Sequence, residues 1–275
     1  MKILCGIVTY YPEIEQIVNI VKYINQSDCV LIVDNTPGGY EFTEQLKQDI
    51  VIIINNENKG IAGALSQIMD YAIKYEFTHV ITFDQDSIPE PDIINNYKEY
   101  WEVAPPDVGA LTSAYRDKNT GICEKAESIT SVDYCITSGF FVSVEAYKHT
   151  SGYDVWMFID RVDWDICYSL KEAGYKIYSI PVVGITHEIG KGKDIYPFGK
   201  HLIISNHVPW RRYYMARNGV YLARKHKSYG TVGHALKKEL LIVAVVFLYE
   251  NKKLSKLWYG IRGVLKGLTA PIRDE

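Results

Sequence analysis

His79-Val80-Ile81-Thr82-Phe83-Asp84-Gln85-Asp86-Ser87 runs from a β-branched, apolar stretch straight into two carboxylates. A short apolar run bounded by turn residues reads as a buried strand, since it is too brief for a stable helix. Residues two apart in an extended segment point the same way, so Asp84 and Asp86 are expected to present both carboxylates on one side of the strand end. Hard oxygen ligands of that kind suit Mg2+ or Mn2+, which keep open positions for substrate phosphates. Asp-Gln-Asp-Ser ahead of Pro89 is equally the composition of an ordinary turn, and the fragment alone leaves both readings open.

Runs of the same character recur at residues 2–8, 29–33, 50–54 and 108–112, with helical patterns at 13–25, 42–47, 61–75 and 92–103. Strands separated by helices of this length predict βαβ units, hence an α/β fold with a mostly parallel, Rossmann-like central sheet flanked by helices. Ligands of such sheets bind beyond the carboxyl ends of the strands. Four polar loops are expected there: Thr9-Tyr10-Tyr11-Pro12, Asp34-Asn35-Thr36, Asn55 to Gly60, and Asp84 to Ser87. Neither a Gly-x-Gly-x-x-Gly nor a Walker-type glycine loop is present, which removes the main support for a dinucleotide or P-loop site.

Beyond residue 115 the pattern predicts a strand pair over 131–142, a helix over 163–173 closed by Gly174, a strand over 177–186 kinked at Pro181, and helices over 210–225 and 236–268. The glycine- and lysine-rich stretch 188–194 reads as a mobile loop. Two domains follow: 1–205, with a nucleotide-binding half to 115 and an acceptor half after it, and a helical region over 206–275.

Composition limits the partners. With 30 basic and 33 acidic residues and a net charge of -3, no nucleic-acid partner is expected. The five cysteines are scattered without a Cys-x-x-Cys pair, and read as small buried hydrophobes in a reducing cytoplasm. The N-terminal apolar run is too short for a signal peptide, and the longest apolar stretch, 240–249, is about half a bilayer span.

Several polar groups could carry chemistry, each beside a plainer role. Asp34 and Asn35 could hydrogen-bond a base or ribose, or form a polar turn before Pro37. Asn58, Lys59 and Gly60 precede a helix, where amides and Lys59 could meet phosphate; an N-cap by Asn58 is the rival. Asp160, Asp163 and Asp165, with Trp164 among them, open a helix whose dipole favours acids in any case. Asp160 and Asp163 should share a face, and one of the three could act as a general base. His187 could complete a site containing two carboxylates. Arg211, Arg212 and Arg217 could clamp a pyrophosphate or form a solvated basic face.

Taken in order, Val8 to Pro12, Val33-Asp34-Asn35, Asn58 to Leu65, Phe83 to Ser87, Ser138-Gly139-Phe140-Phe141, Phe158 to Asp165, and His187 resemble glycosyltransferase family 2. The likeness is greatest to its bacterial rhamnosyltransferase and galactofuranosyltransferase branch, and spans roughly residues 1 to 225. The resemblance implies a GT-A fold, a dTDP-rhamnose or UDP-sugar donor, and inversion at the anomeric carbon. It implies that Asp84, Asp86 and His187 bind the metal, Mn2+ or Mg2+, and that Asp163 is the base. It further implies that Asp34 and the loop from Thr9 to Tyr11 hold the nucleoside.

Acceptor contacts are expected from Trp156, Trp164 and the arginines. The acceptor is expected to be a cell-surface or lipid-linked glycan. The C-terminal region, rich in lysine with Trp258 and Tyr259, suits either a helix pair lying on the inner face of the cytoplasmic membrane or a homodimer contact. A nucleotidyltransferase would want a basic glycine loop after the first strand, which is missing. A non-catalytic sugar-binding module would have no need of Asp84, Asp86, Asp163 and His187 together.

Overall fold

The computed structural model describes residues 1–24, 26–118, 121, 123, 125–187, 193–195, 202–204 and 206–273, so most of the anticipated glycine and lysine loop lies outside the described residues. Two compact units are present, one of Met1–Phe158 with Val162–Glu188 and one of Ile159–Arg161 with Ile189–Glu275.

In the first unit the elements run β1 (Ile3–Thr9), α1 (Ile14–Tyr23), β2 (Cys29–Asp34), α2 (Glu44–Asp49), β3 (Val51–Ile54), α3 (Gly60–Lys74), β4 (His79–Asp84), β5 (Ile88–Pro89), α4 (Ile93–Val103) and β6 (Val108–Asp117). After these come β7 (Thr130–Val132), β8 (Phe140–Ser143), α5 (Val144–Lys148), a single 3-10 turn at Val155–Met157, α6 (Val162–Glu172) and β9 (Lys176–His187). The sheet order is β3-β2-β1-β4-β8-β6-β9-β5, with β7 beside β9. β1 pairs in parallel with β2 and β4, and β2 with β3, which gives the predicted βαβ half.

Every residue of β1 is buried, because both faces of the sheet are covered. Ile3, Cys5 and Ile7 pack with α1 residues Ile17 and Ile20 and α4 residues Ile93 and Tyr97. The opposite parity meets α3, where Gly6 makes room: a Cβ there would press on Ile68. Fully burying each such aliphatic side chain contributes about 1.5–3 kcal/mol.

Two sequence expectations need correction here, and a third, the kink at Pro181, is met. The segment 131–142 is not a strand pair: β7 joins β9, while β8 lies antiparallel between β4 and β6. The kink at Pro181 is a bulge, since Ser113 opposes Ile180 whereas Ala114 already opposes Val183. A proline has no N–H for the ladder and is tolerated at that break. The helix expected over 236–268 is two helices, α8 (Val232–Tyr249) and α9 (Lys253–Thr269), with Lys252 at φ 53 in the turn between them.

Those two helices, with α7 (Pro209–Lys225) and the small ribbon β10 (Lys193–Ile195) and β11 (Leu202–Ile204), make up the second unit. α9 meets α7 through Gly263 and Gly267, where a Cβ would collide with the carbonyls of Tyr213 and Arg217. Its larger apolar residues are turned outward instead: Leu254 is 78% exposed and Trp258 60%. Among the described residues no helix is long and apolar enough to cross a membrane.

Candidate active site

Register places the strand ends side by side. Thr9 opposes Asp34 and Val8 opposes Asp84, so the loops after β1, β2 and β4 leave from one edge of the sheet. Asp34 is wholly buried there. Its Oδ1 accepts from Thr9 Oγ1 at 2.9 Å, Thr36 Oγ1 at 2.7 Å and Thr36 N at 3.3 Å, and its Oδ2 accepts from Tyr40 N at 2.9 Å. A buried carboxylate is tolerable only when so satisfied. Tyr11, at φ 47, donates its N–H to Thr36 Oγ1 at 2.9 Å, and its side chain is 60% exposed. Asn35 is likewise engaged by the protein. Its Nδ2 donates to Gly60 O, and its Oδ1 accepts from Asn55 Nδ2, both at 2.9 Å. Asp34 and Asn35 therefore brace the loops at this edge, where the rings of Tyr10 and Tyr11 are exposed.

At the start of α3, Asn58 Oδ1 accepts from Gly60 N at 2.9 Å, while Lys59 occupies the cap position and is exposed. Gly60 has φ 72, and a Cβ on it would strike the carbonyl of Phe158. That carbonyl accepts from Ala62 N at 3.3 Å, so the loop before α6 is seated on the N-terminus of α3.

β4 stops at Asp84. Ser87 N donates to Asp84 O at 3.1 Å, so Gln85 and Asp86 form a turn, one of the two conformations the sequence left open. The turn itself is tied down. Gln85 Oε1 accepts from Tyr10 N at 2.7 Å and Gln85 Nε2 donates to Tyr10 O at 3.2 Å. Ser138 Oγ accepts from Asp84 N at 3.3 Å and donates to Ser87 Oγ at 2.7 Å. Asp84 is half-buried and Asp86 exposed. Ile88 pairs with Thr186 antiparallel, which brings the main chain of His187 to this turn; its side chain lies outside the described residues. Among the described residues no three His, Cys, Asp or Glu gather as a metal cage. Two carboxylates on an ordered turn nevertheless fit Mg2+ or Mn2+, ions often held by one or two protein carboxylates plus phosphate oxygens.

β9 runs parallel to β6, and β8 lies antiparallel to both β6 and β4, so β9 runs with β4. α6 precedes β9 through a tight turn at Gly174 and packs on it, which places the first turn of α6 at the same edge as Asp84. Asp163 is half-buried there, with Oδ1 accepting from Trp164 N at 3.0 Å. Asp165 is wholly buried. The ring of Trp164 stacks on Tyr134 at 4.2 Å, and Tyr134 is 49% exposed. Trp156, half-buried, donates its N–H to Asp154 Oδ1 at 3.1 Å. Near Asp163, the Cys135 thiol is pushed well up by its contact with Cys167 and by burial. The five cysteines are unbridged.

Asp160 departs from expectation. It precedes α6 at φ 66 and does not share a helix face with Asp163. Within the second unit its carboxylate is held by Arg211, whose Nη2 lies 2.9 Å away, and its carbonyl accepts from Asn218 Nδ2 at 2.8 Å. Arg212 is buried against Glu239, and Arg217 is buried beneath Tyr213 and Tyr214. The solvated basic face expected of these arginines is thus reduced to Arg211.

Sequence reading assigned no role to Gln85, Thr36, Ser138 or Tyr134. Gln85 stood only as the spacer between two carboxylates, and the other three partners are 25 to 54 residues from what they hold in sequence.

Residues 7–166 match the model of a family described as glycosyl transferase family 2. Over 95% of its length the chain is 27% identical to the dTDP-rhamnosyl transferase RfbF of Shigella flexneri, covering 96% of that protein. Among solved structures it resembles S. aureus TarS at a TM-score of 0.62 and 12% identity, over 99% of this chain and half of that one. TarS residues 1–349 in complex with UDP-GlcNAc align at a TM-score of 0.61 and 12% identity, over 98% of this chain and 81% of that one. With the sheet order and the helices on both of its faces, these likenesses identify the GT-A fold, and the chain belongs to glycosyl transferase family 2 as a glycosyltransferase.

Proposed function

We propose that the enzyme moves rhamnose from dTDP-rhamnose to a hydroxyl of a glycan or lipid-linked glycan, with inversion, at the inner face of the cytoplasmic membrane. The observation that carries this reading is that strand direction puts the Asp84–Asp86 turn and the first turn of α6, which bears Asp163, on the same edge of the sheet. The dTDP-rhamnosyl transferase relative supports the choice of donor.

Asp84 and Asp86, with His187, would hold Mg2+ or Mn2+, which when bound neutralises the charge of a departing nucleoside diphosphate. The exposed rings of Tyr10 and Tyr11 offer a stacking surface for thymine, framed by the Asp34 hydrogen bonds. Lys59, exposed at the head of α3, meets phosphate oxygen together with the helix dipole. Asp163 takes the proton of the acceptor hydroxyl as that oxygen attacks the anomeric carbon. Its half-exposure suits the task, whereas the buried Asp165 has no access to an acceptor. Trp164 stacked on Tyr134, with Trp156, forms an aromatic floor for the acceptor sugar. The outward apolar residues of α8 and α9 suit a bilayer surface.

The test is donor hydrolysis and thermal stabilisation with dTDP-rhamnose, UDP-galactose, UDP-galactofuranose, UDP-glucose and UDP-GlcNAc, each with and without Mn2+. The largest effects are expected for dTDP-rhamnose with Mn2+. A UDP-sugar turned over faster would overturn the choice of donor, and no response to any donor would overturn the reading.

A further inference from the structure

α8 and α9 reverse the usual rule for surface helices, in which the apolar stripe turns inward. On α9 the outward row is Leu254, Trp258, Ile261 and Leu265, spaced four, three and four residues apart, each 46% exposed or more. On α8, Leu240, Leu241, Phe247 and Leu248 are each at least 59% exposed. Between residues 233 and 269 the sequence places seven Lys and Arg against two acids, Glu239 and Glu250. Both acids are consumed in ion pairs, with Arg212 and with Lys256 at 2.6 Å. A second copy docked here would set one cationic face on another. An anionic bilayer instead neutralises it.

A small open cleft lies in this unit, walled by Val246, Phe247 and Leu257 and carrying Arg212, Lys253 and Lys256. Arg212 is 4% exposed, and its Nη2 donates to Glu239. Its Nη1 is buried without any hydrogen-bond partner, a costly state for a guanidinium and one that a phosphate oxygen would relieve. Lys253 sits over the Phe247 ring at 5.4 Å with its side chain at the surface. Three cations set against Glu239 and Glu250 leave a surplus of one positive charge, which matches a phosphodiester monoanion.

We propose that this cleft binds the phosphodiester headgroup of an anionic phospholipid, with Arg212 and Lys253 as its principal ligands and the acyl chains beside the outward leucines. The proposal rests on the membrane-facing part of the functional reading and not on the transfer chemistry. The expected consequence is a preference for lipid headgroup beyond what diffuse charge gives.

The test is flotation of the full-length chain with vesicles of phosphatidylcholine alone or mixed with phosphatidylglycerol, using circular dichroism and thermal melting to verify the fold of each variant. Wild type should partition to the anionic vesicles. Arg212→Lys keeps the net charge but loses the second guanidinium nitrogen, and should weaken that partition about tenfold. Lys253→Ala, at an exposed position that folding does not depend on, should weaken it at least tenfold, against about fivefold for Lys266→Ala outside the cleft, the loss expected of a single surface charge. Equal losses at positions 253 and 266, with Arg212→Lys unchanged, would reduce the effect to diffuse charge and overturn the site. Equal binding to both vesicle types would also overturn it while leaving membrane association standing. No binding to either would overturn both. Stabilisation by inorganic phosphate alone, lost in Lys253→Ala and without vesicle preference, would assign the cleft to a free anion and sink the lipid proposal.

Discussion

Asp34 and Glu239 are both buried carboxylates, 0% and 6% exposed, yet they are satisfied in opposite ways. Asp34 is met by hydroxyls and main-chain amides from the end of β1 and from the loop after β2, so its negative charge stays at the sheet edge uncancelled by those donors. Glu239 is met by the guanidinium of Arg212, so its charge is spent inside the helical unit, where Lys237, Lys238, Lys252, Lys253, Arg262 and Lys266 stay exposed. The first arrangement suits an edge that must attract a cation and hold a nucleotide in fixed geometry. The second suits a surface that must meet anions, because the acids that could offset its cations are already paired. Charge is therefore sorted by unit, although the net charge of the whole chain is only -3.

The sharpest break of this picture is at Asp163. Asp163→Asn should lower transfer about a thousandfold, within the range of general-base catalysis, while dTDP-rhamnose affinity measured by titration calorimetry stays within about twofold of wild type. Near-normal turnover would remove the acidic base from the sheet edge. Asp165→Asn is the companion variant, and there the expected loss is chiefly of stability, because the side chain is wholly buried.

Asp34→Ala comes next. It strips acceptors from the Thr9 and Thr36 hydroxyls and from two main-chain amides, and each orphaned group costs about 1–3 kcal/mol less whatever water recovers. A loss of about 4 kcal/mol in denaturant unfolding is expected, together with weakened nucleotide binding, because the Tyr11 loop is fastened through Thr36. Glu239→Gln should instead spare nucleotide binding altogether, which is the comparison in its simplest form.

How much of this was legible beforehand follows from the range of the interactions. The βαβ half was legible because its strands are continuous apolar runs and its helices are periodic, both short-range signals. Asp84, Asp86 and Asp163 stand out in the sequence as candidates because carboxylates crowd at element ends. At Asp84 the fragment leaves a turn and an extended end equally open, because the closure depends on Gln85 gripping Tyr10 and Ser138 gripping Asp84, contacts that span 75 and 54 residues. Asp160 was misjudged for a similar reason: Arg211 and Asn218 hold it from more than 50 residues away, in a left-handed conformation that helix propensity gives no reason to expect. β7 and β8 failed as a pair because strand partners are chosen by the sheet and not by adjacency.

A third test uses a group in the first unit that would become a buried cation without a counterion. His79 is stacked on Phe141 at 5.0 Å and edge-on to Trp101 at 4.4 Å, and its Nε2 has no partner. Burial, with a smaller contribution from the charge of the N-terminal amine, lowers its pKa to about 4. The unfolded chain takes up this proton near pH 6.5, while the native chain resists until about pH 4. The native state thus binds fewer protons across that window. The stability contributed by neutral His79 is complete above about pH 6.5, declines as pH falls, and levels off below about pH 4, an expected swing of about 3 kcal/mol. His79→Phe should flatten this part of the profile, and an unaltered slope would show that other groups govern it.

The smallest effect sharpens the claim that the sheet edge is fixed by backbone contact as well as by charge. Gly60 and Gly38 both lie in the left-handed region, at φ 72 and 82. A side chain at Gly38 would meet nothing within 4 Å, whereas one at Gly60 would strike the Phe158 carbonyl that seats the loop before α6. Gly38→Ala should therefore cost only the backbone term, about 1 kcal/mol. Gly60→Ala adds steric conflict and should cost about 2 kcal/mol or more, or roughly 4–8 °C in Tm. Because Phe158 leads directly toward Asp163, Gly60→Ala should also lower kcat, while Gly38→Ala leaves kcat unchanged. Equal losses of kcat would mean that the Phe158 contact does not set the position of the base.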